Sequence, residues 1–64
     1  MEYIFTRKKD GKKITKDSEL MAKNFVKTLD DPKNYVVMIY EFGKVMEKET
    51  EIETIFNLNE KQIR

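Results

Sequence analysis

The sequence predicts a small α+β domain, in which one helix packs on a mostly antiparallel sheet in the order strand, strand, helix, strand, strand. Two runs that are rich in aromatic and β-branched residues, residues 2–7 and 35–42, have the composition of strands. Between them lies a segment whose apolar residues recur at helical spacing. A chain of 64 residues has the length of one domain, so we assign residues 1–64 to a single unit.

The first two strands are predicted to form a hairpin. Residues 2–7 are followed by Asp10 and Gly11, a dipeptide that favours a two-residue turn because both positions tolerate positive φ angles. Residues 12–15 then return as a short second strand. The tip of this hairpin is rich in lysine, and the two aromatic side chains of the first strand are expected in the core beneath the helix.

A helix of about 12 residues follows, with one apolar side. Asp17 or Ser18 can cap its first turn, because a short side-chain oxygen accepts hydrogen bonds from the free amides there. Met21, Phe25 and Leu29 recur every four residues and predict the buried stripe. The residues that widen this stripe are Leu20, Ala22 and Val26. The helix has to end before the single proline, since the residue ahead of a proline is forced out of helical conformation.

Residues 35–42 form the most hydrophobic segment, and their nearly continuous apolarity predicts a central strand that is covered on both faces. Alternation of side chains puts Val37 and Ile39 on one face. The opposite face carries Val36, Met38 and Tyr40. One helix can cover only one of these faces, so we expect a second copy of the chain to cover the other face or to pair with the edge of the last strand. The sequence thus predicts a homodimer.

Over residues 45–58, acidic side chains alternate with mostly apolar or threonine side chains, so this segment is predicted to form a long antiparallel strand. The acidic side of this alternation consists of Glu47, Glu49, Glu51 and Glu53. At a period of 3.6 residues a helical stripe is the alternative, formed by Val45, Ile52, Ile55, Phe56 and Ile63. We prefer the strand because the match to a period of two residues is longer. Asn57 or Asn59 could cap a last short helix that runs to Ile63.

Composition excludes most catalytic chemistry. The chain has neither cysteine nor histidine, which removes disulfides, thiolate chemistry, the commonest metal ligand and the commonest general base. Its single serine, Ser18, has no histidine to activate it, and its two glycines lie in predicted turns rather than in a phosphate-binding loop. The clustered glutamates lack the glycine turn of a calcium loop. We therefore expect no enzyme activity, no cofactor and no metal site.

Charge is nearly balanced overall, with a net charge of +1, but it is unevenly placed. A basic region precedes the helix, and an acidic region occupies the last predicted strand. We expect the acidic strand and two nearby aromatic residues to bind a partner protein, because charge complementarity and aromatic anchors are what such contacts need. The predicted partner-binding residues are Glu47, Glu49, Glu51, Glu53, Tyr40 and Phe42.

Very short chains that are rich in lysine and glutamate and lack cysteine resemble the accessory proteins of bacteriophages and mobile elements. The resemblance is one of size and composition. It implies a stoichiometric inhibitor or regulator that masks a surface of a host or cognate protein. No apolar stretch approaches the roughly 20 residues of a membrane span, so we expect no membrane contact. The absence of cysteine fits a cytoplasmic protein, and we expect that location.

Binding of nucleic acid is the alternative function. The predicted nucleic-acid-binding residues lie in the basic hairpin and are Arg7, Lys8, Lys9, Lys12 and Lys13. Aromatic side chains of the first strand could stack on bases while the basic side chains hold phosphates. The nearly neutral net charge argues against this function, since nucleic-acid-binding domains usually have a clear basic excess. A structural subunit of a larger assembly is a third possibility.

Overall fold

The computed structural model describes residues 1–56, and it confirms the predicted α+β class and the order strand, strand, helix, strand, strand. The four strands are β1 (Glu2–Arg7), β2 (Lys13–Lys16), β3 (Tyr35–Glu41) and β4 (Lys44–Glu51). The helices are α1 (Glu19–Lys27) and α2 (Ile52–Phe56), and a short 3-10 helix that precedes β3 is Pro32–Asn34. The predicted last helix, capped by Asn57 or Asn59, lies outside the described residues.

The sheet is antiparallel throughout, and its strand order is β2-β1-β3-β4. β1 therefore occupies a central position although it comes first in the chain. The segment from β2 through α1 to β3 crosses over β1, which places α1 on one face of the sheet. α2 follows β4 directly and returns to the same face, where the ring centroid of Phe56 lies 6.1 Å from that of Phe5. Both helices thus cover one face.

The core lies between this face of the sheet and the two helices. Phe5 is fully buried, and its ring centroid lies 4.7 Å from that of Phe25 on α1. The other buried members of the core are Tyr3, Ala22, Val26, Val37, Ile39 and Ile52. The aromatic residues of β1 thus lie beneath the helix, as predicted. Every strand residue of this core belongs to the face that the helices cover.

The turn of the β1–β2 hairpin differs from the prediction. Asp10 and Gly11 do not form a two-residue turn; they end a four-residue loop, residues 8–11, in which Gly11 has a φ angle of 75°. The longer loop sets Ile14 directly beside Phe5, where its side chain packs against the core. A two-residue turn would set a lysine there instead. Burial of an apolar side chain therefore decides the register of the hairpin.

Helix α1 begins where the sequence predicts. Ser18 is its N-cap, and the hydroxyl oxygen accepts a hydrogen bond from the amide of Met21 at 3.2 Å. The helix ends at Lys27 and is shorter than predicted. Its buried stripe is also rotated, since Ala22 and Val26 are buried whereas Met21 is half-exposed. Ala22 and Val26 pack in the core between the helix and the sheet, and this orientation turns Met21 toward solvent.

Strand β3 is a central strand, as predicted, and its side chains alternate between the two faces. Val37 and Ile39 are buried against the helices. Val36, Met38 and Tyr40 lie on the opposite face and are partly exposed. Neither helix covers that face within residues 1–56. The expected second layer on it is therefore not supplied by this part of the chain.

The prediction of one long strand over residues 45–58 is wrong. Strand β4 ends immediately before α2 begins at Ile52, whose surface is only 1% exposed. The alternation of acidic residues continues to Glu53, but the packing of Ile52, Ile55 and Phe56 against the core outweighs it. The segment is therefore a strand in its first half and a helix where the described residues end.

Candidate protein-interaction surface

The face of the sheet that lies away from the helices carries an apolar strip. Its members, hereafter the open face, are Ile4, Val36, Met38 and Tyr40. Ile4 pairs directly with Met38 at the centre of the strip. All four residues are partly exposed, because neighbouring strands shield their sides while, within residues 1–56, no second layer lies above them. An apolar sheet face of this kind is typical of a surface that packs against another element.

The β3–β4 hairpin ends in a tight turn formed by Phe42 and Gly43, between the paired residues Glu41 and Lys44. Both turn residues have positive φ angles, 53° for Phe42 and 76° for Gly43, as a type I′ turn requires. Glycine adopts this conformation without strain, but a bulky residue is destabilised by about 1 kcal/mol or more. Within residues 1–56, Phe42 is the only residue other than glycine with a positive φ angle.

Phe42 is also the most exposed large apolar residue in the described part of the chain, with 94% of its surface accessible to solvent. Val45 and Met46 follow the turn and are about half exposed. These three residues, hereafter the hairpin tip, adjoin the open face because Val45 pairs with Tyr40. The two predicted aromatic anchors thus lie on joined surfaces. Sequence reasoning misses Val45 and Met46, since only the observed turn and register reveal their exposure.

The four predicted glutamates do not form a single acidic face. Two register shifts in β4 each place one extra residue opposite β3, and they break the two-residue alternation. Glu47 pairs with Ile39 on the helix side of the sheet, whereas Glu51 pairs with Val36 on the open face. Glu49 lies in the shifted stretch of β4, and Glu53 lies in the first turn of α2. Charge alone therefore does not define a binding surface on β4.

An internal ion pair shapes the basic hairpin. The Arg7 guanidinium donates two hydrogen bonds to the Asp10 carboxylate, from Nε to Oδ1 at 3.1 Å and from Nη2 to Oδ2 at 2.7 Å. The Oδ1 atom also accepts a hydrogen bond from the amide of Lys12. These bonds hold the pKa of the Asp10 carboxyl well below its usual range and raise the pKa of the Arg7 guanidinium. Arg7 is thus engaged in holding the loop.

Two more of the predicted phosphate-binding residues have partners within the chain. Lys8 Nζ lies 3.0 Å from Oε2 of Glu51. Lys13 Nζ donates a hydrogen bond to Oγ1 of Thr6 at 3.1 Å. The two whose side chains make no such contact within residues 1–56 are Lys9 and Lys12. The hairpin therefore offers a smaller basic patch than its sequence indicates.

A shallow depression lies between α1 and β2. Its lining residues are Lys16, Met21, Asn24, Phe25 and Thr28. Lys16 Nζ lies 5.3 Å from the centroid of the Phe25 ring, which is a cation–π distance. Lys16 is the only one of these lining residues with an ionisable side chain.

Two features are absent from the described part of the chain: a cluster of metal-binding side chains and a helix that could span a membrane. No three carboxylate side chains of residues 1–56 come together as they would around a metal ion. Neither helix in that stretch has the length or the apolarity to cross a bilayer.

Comparisons of this chain with known protein families, with curated proteins and with solved structures found no match.

Proposed function

We propose that this protein is a non-enzymatic interaction module that binds a host or cognate protein through its hairpin tip and masks the surface it covers, as a stoichiometric inhibitor or regulator does. Phe42 carries the proposal, because this aromatic side chain is presented to solvent in a backbone conformation that disfavours it. The cytoplasm is the compartment in which we expect this activity.

Folding stability does not explain Phe42. The residue lies outside the core, and asparagine is a residue that this turn position prefers. An exposed phenylalanine also keeps apolar surface in water, and full burial of such a side chain in a partner is worth about 1.5–3 kcal/mol. A residue that weakens the free protein and strengthens a complex is best explained by binding.

The surroundings of Phe42 suit a protein partner. Val45 and Met46 extend the apolar surface, and the flexible methionine side chain adapts to an irregular partner. Glu41 and Lys44 flank the turn and supply charges of both signs at its rim. Interfaces between proteins commonly have this anatomy of an apolar centre within a polar rim. The paired strands also hold the tip in place, so that little conformational freedom is lost on binding.

The glutamates of β4 enter the proposal as charges around the tip. Glu47 and Glu49 are exposed on the strand that leaves the turn. They favour a partner with a basic surface, because complementary charges speed association and discourage wrong partners. Glu51 instead contacts Lys8 within the chain, so its replacement is expected to affect binding less than replacement of Glu47 or Glu49.

Capture from bacterial lysate tests the proposal. Tagged wild-type protein is expected to retain one host protein in near-stoichiometric amount after nuclease treatment. The Phe42→Asn variant should lose that protein, because asparagine fits the turn but supplies no aromatic anchor. The Leu20→Asn variant is the matched control and should keep it, since Leu20 is 68% exposed but belongs to α1 and not to the hairpin tip.

Retention of the same protein by the Phe42→Asn variant would show that the tip is not the binding surface. Loss of the partner in both variants would show that any exposed apolar residue contributes, which is nonspecific adhesion. A partner that disappears on nuclease treatment would favour the alternative function.

Nucleic-acid binding through the basic hairpin is that alternative. Lys9 and Lys12 favour it, because their side chains have no partner within residues 1–56. Two phosphate contacts give weak binding that falls steeply with salt. Salt-dependent retention on heparin that is lost when both lysines become alanine would support this function over the first.

A further inference from the structure

We infer that a second copy of this chain packs its open face on the open face of the first, so that two sheets stack in a symmetric dimer. The open face and the strained turn are different features, so the inference goes beyond the proposed function and does not depend on it. The apolar side chains of the open face span both central strands, whereas the helices cover only the other face. A second sheet is a common cover for such a face.

The edges of the sheet are poorly suited to pair with a second copy. β4 forms one edge within residues 1–56, and its two register shifts interrupt the regular row of backbone groups that a new strand would need. The other edge, β2, is four residues long and includes Lys13 and Lys16. Short length and lysine side chains both oppose edge pairing. Stacking of faces is therefore favoured over pairing of edges.

The pattern of the open face favours one symmetry axis. A two-fold axis that runs parallel to the strands, between β1 and β3, exchanges β1 with β3 and β2 with β4. Ile4 and Met38 are direct neighbours across these two central strands. The axis therefore places Ile4 of each copy over Met38 of the partner subunit, at the centre of the interface. Sheets stacked in this way lie about 10 Å apart, which is the distance that two layers of such side chains fill.

The same axis matches charges at the rim. Lys13 pairs with Thr6, Thr6 with Val36, and Val36 with Glu51, so Lys13 and Glu51 lie at one level on opposite edges of the sheet. The axis sets Lys13 of each copy over Glu51 of the partner subunit and forms two ion pairs between the copies. A two-fold axis perpendicular to the strands would set Glu51 over Val45 instead, and the carboxylate would have no cation opposite it.

The dimer has a consequence for the hairpin tip. An axis parallel to the strands keeps the two ends of the sheet distinct, so both turns that contain Phe42 emerge at the same end of the dimer. Two anchors side by side can engage two sites on one partner assembly, which raises the apparent affinity without any new contact.

Sedimentation velocity on the full chain, over a wide range of concentration, gives the oligomeric state, and a dimer is expected. Two variants then test the axis. K13E reverses the charge at position 13 of the proposed contact. K8E/E51K reverses the charge at position 51 and keeps an ion pair within the chain, because positions 8 and 51 exchange their charges. Each variant alone should raise the dimer dissociation constant about tenfold, because two attractive pairs become repulsive.

An equimolar mixture of the two variants should restore wild-type affinity, since each contact between positions 13 and 51 again joins opposite charges. K27E is the control, because it reverses a charge on α1, away from the open face, and should dimerise as the wild-type chain does. Contacts between Ile4 and Met38 in a wild-type dimer of differently labelled copies give a second test by nuclear magnetic resonance that needs no variant.

A wild-type chain that stays monomeric at high micromolar concentration would overturn the inference. So would variants whose dissociation constants do not change, or a mixture that restores nothing. Contacts from the open face to residues 57–64 in a monomer would assign that face to the chain's own last segment instead.

Discussion

The ammonium nitrogen of Lys8 lies 3.0 Å from a carboxylate oxygen of Glu51, a residue 43 positions further along the chain. Lys8 follows β1 and Glu51 ends β4, so this pair joins the basic and the acidic regions of the sequence across the sheet. Both side chains are partly exposed, and such a pair contributes about 0.2–1 kcal/mol to stability. It also lowers the positive charge of the predicted phosphate-binding hairpin.

Replacement of Glu51 by glutamine should therefore strengthen retention on heparin. The wild-type chain is expected to elute from heparin below physiological salt. The Glu51→Gln variant should elute at a somewhat higher salt concentration, because Lys8 is released to contact sulfate groups. Glu53→Gln removes the same charge from α2 and serves as the control. Equal shifts in the two variants would mean that net charge alone determines retention and that the contact with Lys8 is irrelevant.

Replacement of Phe42 by asparagine should stabilise the free protein. Asparagine tolerates the positive φ angle of this position, so the free energy of unfolding should rise by about 1 kcal/mol and the melting temperature by about 5 °C. Thermal unfolding followed by circular dichroism measures both. Gly43→Ala is the opposite control. It should destabilise the chain by about 1 kcal/mol through its φ angle of 76° alone, since no atom of residues 1–56 beyond its two chain neighbours lies within 4 Å of the added methyl group. A Phe42→Asn variant less stable than the wild type would contradict the strained turn.

Replacement of Ile52 by alanine should be the more damaging of two similar truncations. Ile52 is fully buried at the start of α2, so its loss leaves a cavity and costs about 2–4 kcal/mol, a large part of the stability of a domain this small. Val45→Ala removes apolar surface from a half-exposed residue and should change stability by less than about 0.5 kcal/mol. Urea titration compares the two variants. Equal losses would mean that α2 does not pack on the sheet as described.

The Asp10 carboxylate should make stability depend on pH in acid. Its pKa in the folded chain lies well below the ordinary value of 3.8, chiefly because Arg7 donates hydrogen bonds to it. A depressed pKa adds stability that is fully present above the unfolded pKa and is lost as the pH falls toward the folded pKa. Unfolding by urea at several pH values below about 4 should therefore show a steeper decline for the wild type than for Asp10→Asn. Parallel declines would contradict the ion pair.

Much of the fold follows from segments in which local signals agree. Residues 35–42 combine β-branched side chains with a preceding proline and a following glycine, and β3 occupies nearly that range. Ser18 caps α1 because its side-chain oxygen is the right length to reach a first-turn amide, which is a purely local property. Val37 and Ile39 lie in the core because alternation along a strand is fixed by backbone geometry.

The remainder depends on contacts between distant residues. The register shifts in β4 arise from its pairing with β3, and the sequence of β4 alone favours regular alternation. The same holds for Ile52, whose burial against the core ends the strand. At the candidate site, Phe42 can be predicted as an aromatic residue near a glycine. Its full exposure and its φ angle follow only from the observed turn.

The central place of β1 has a consequence for synthesis on the ribosome. Of the four strands β1 is made first, yet the backbone groups on one of its sides have no partners until β3 has been made. The core cannot close until Ile52 has been added. At roughly 5–20 residues per second, the interval between β2 and Ile52 lasts about two to seven seconds. Until then the hairpin depends on its own local contacts, which are the backbone hydrogen bonds between β1 and β2 and the ion pair between Arg7 and Asp10. Loss of that contact would then reduce the yield of folded chains in the cell more than the stability of the finished protein.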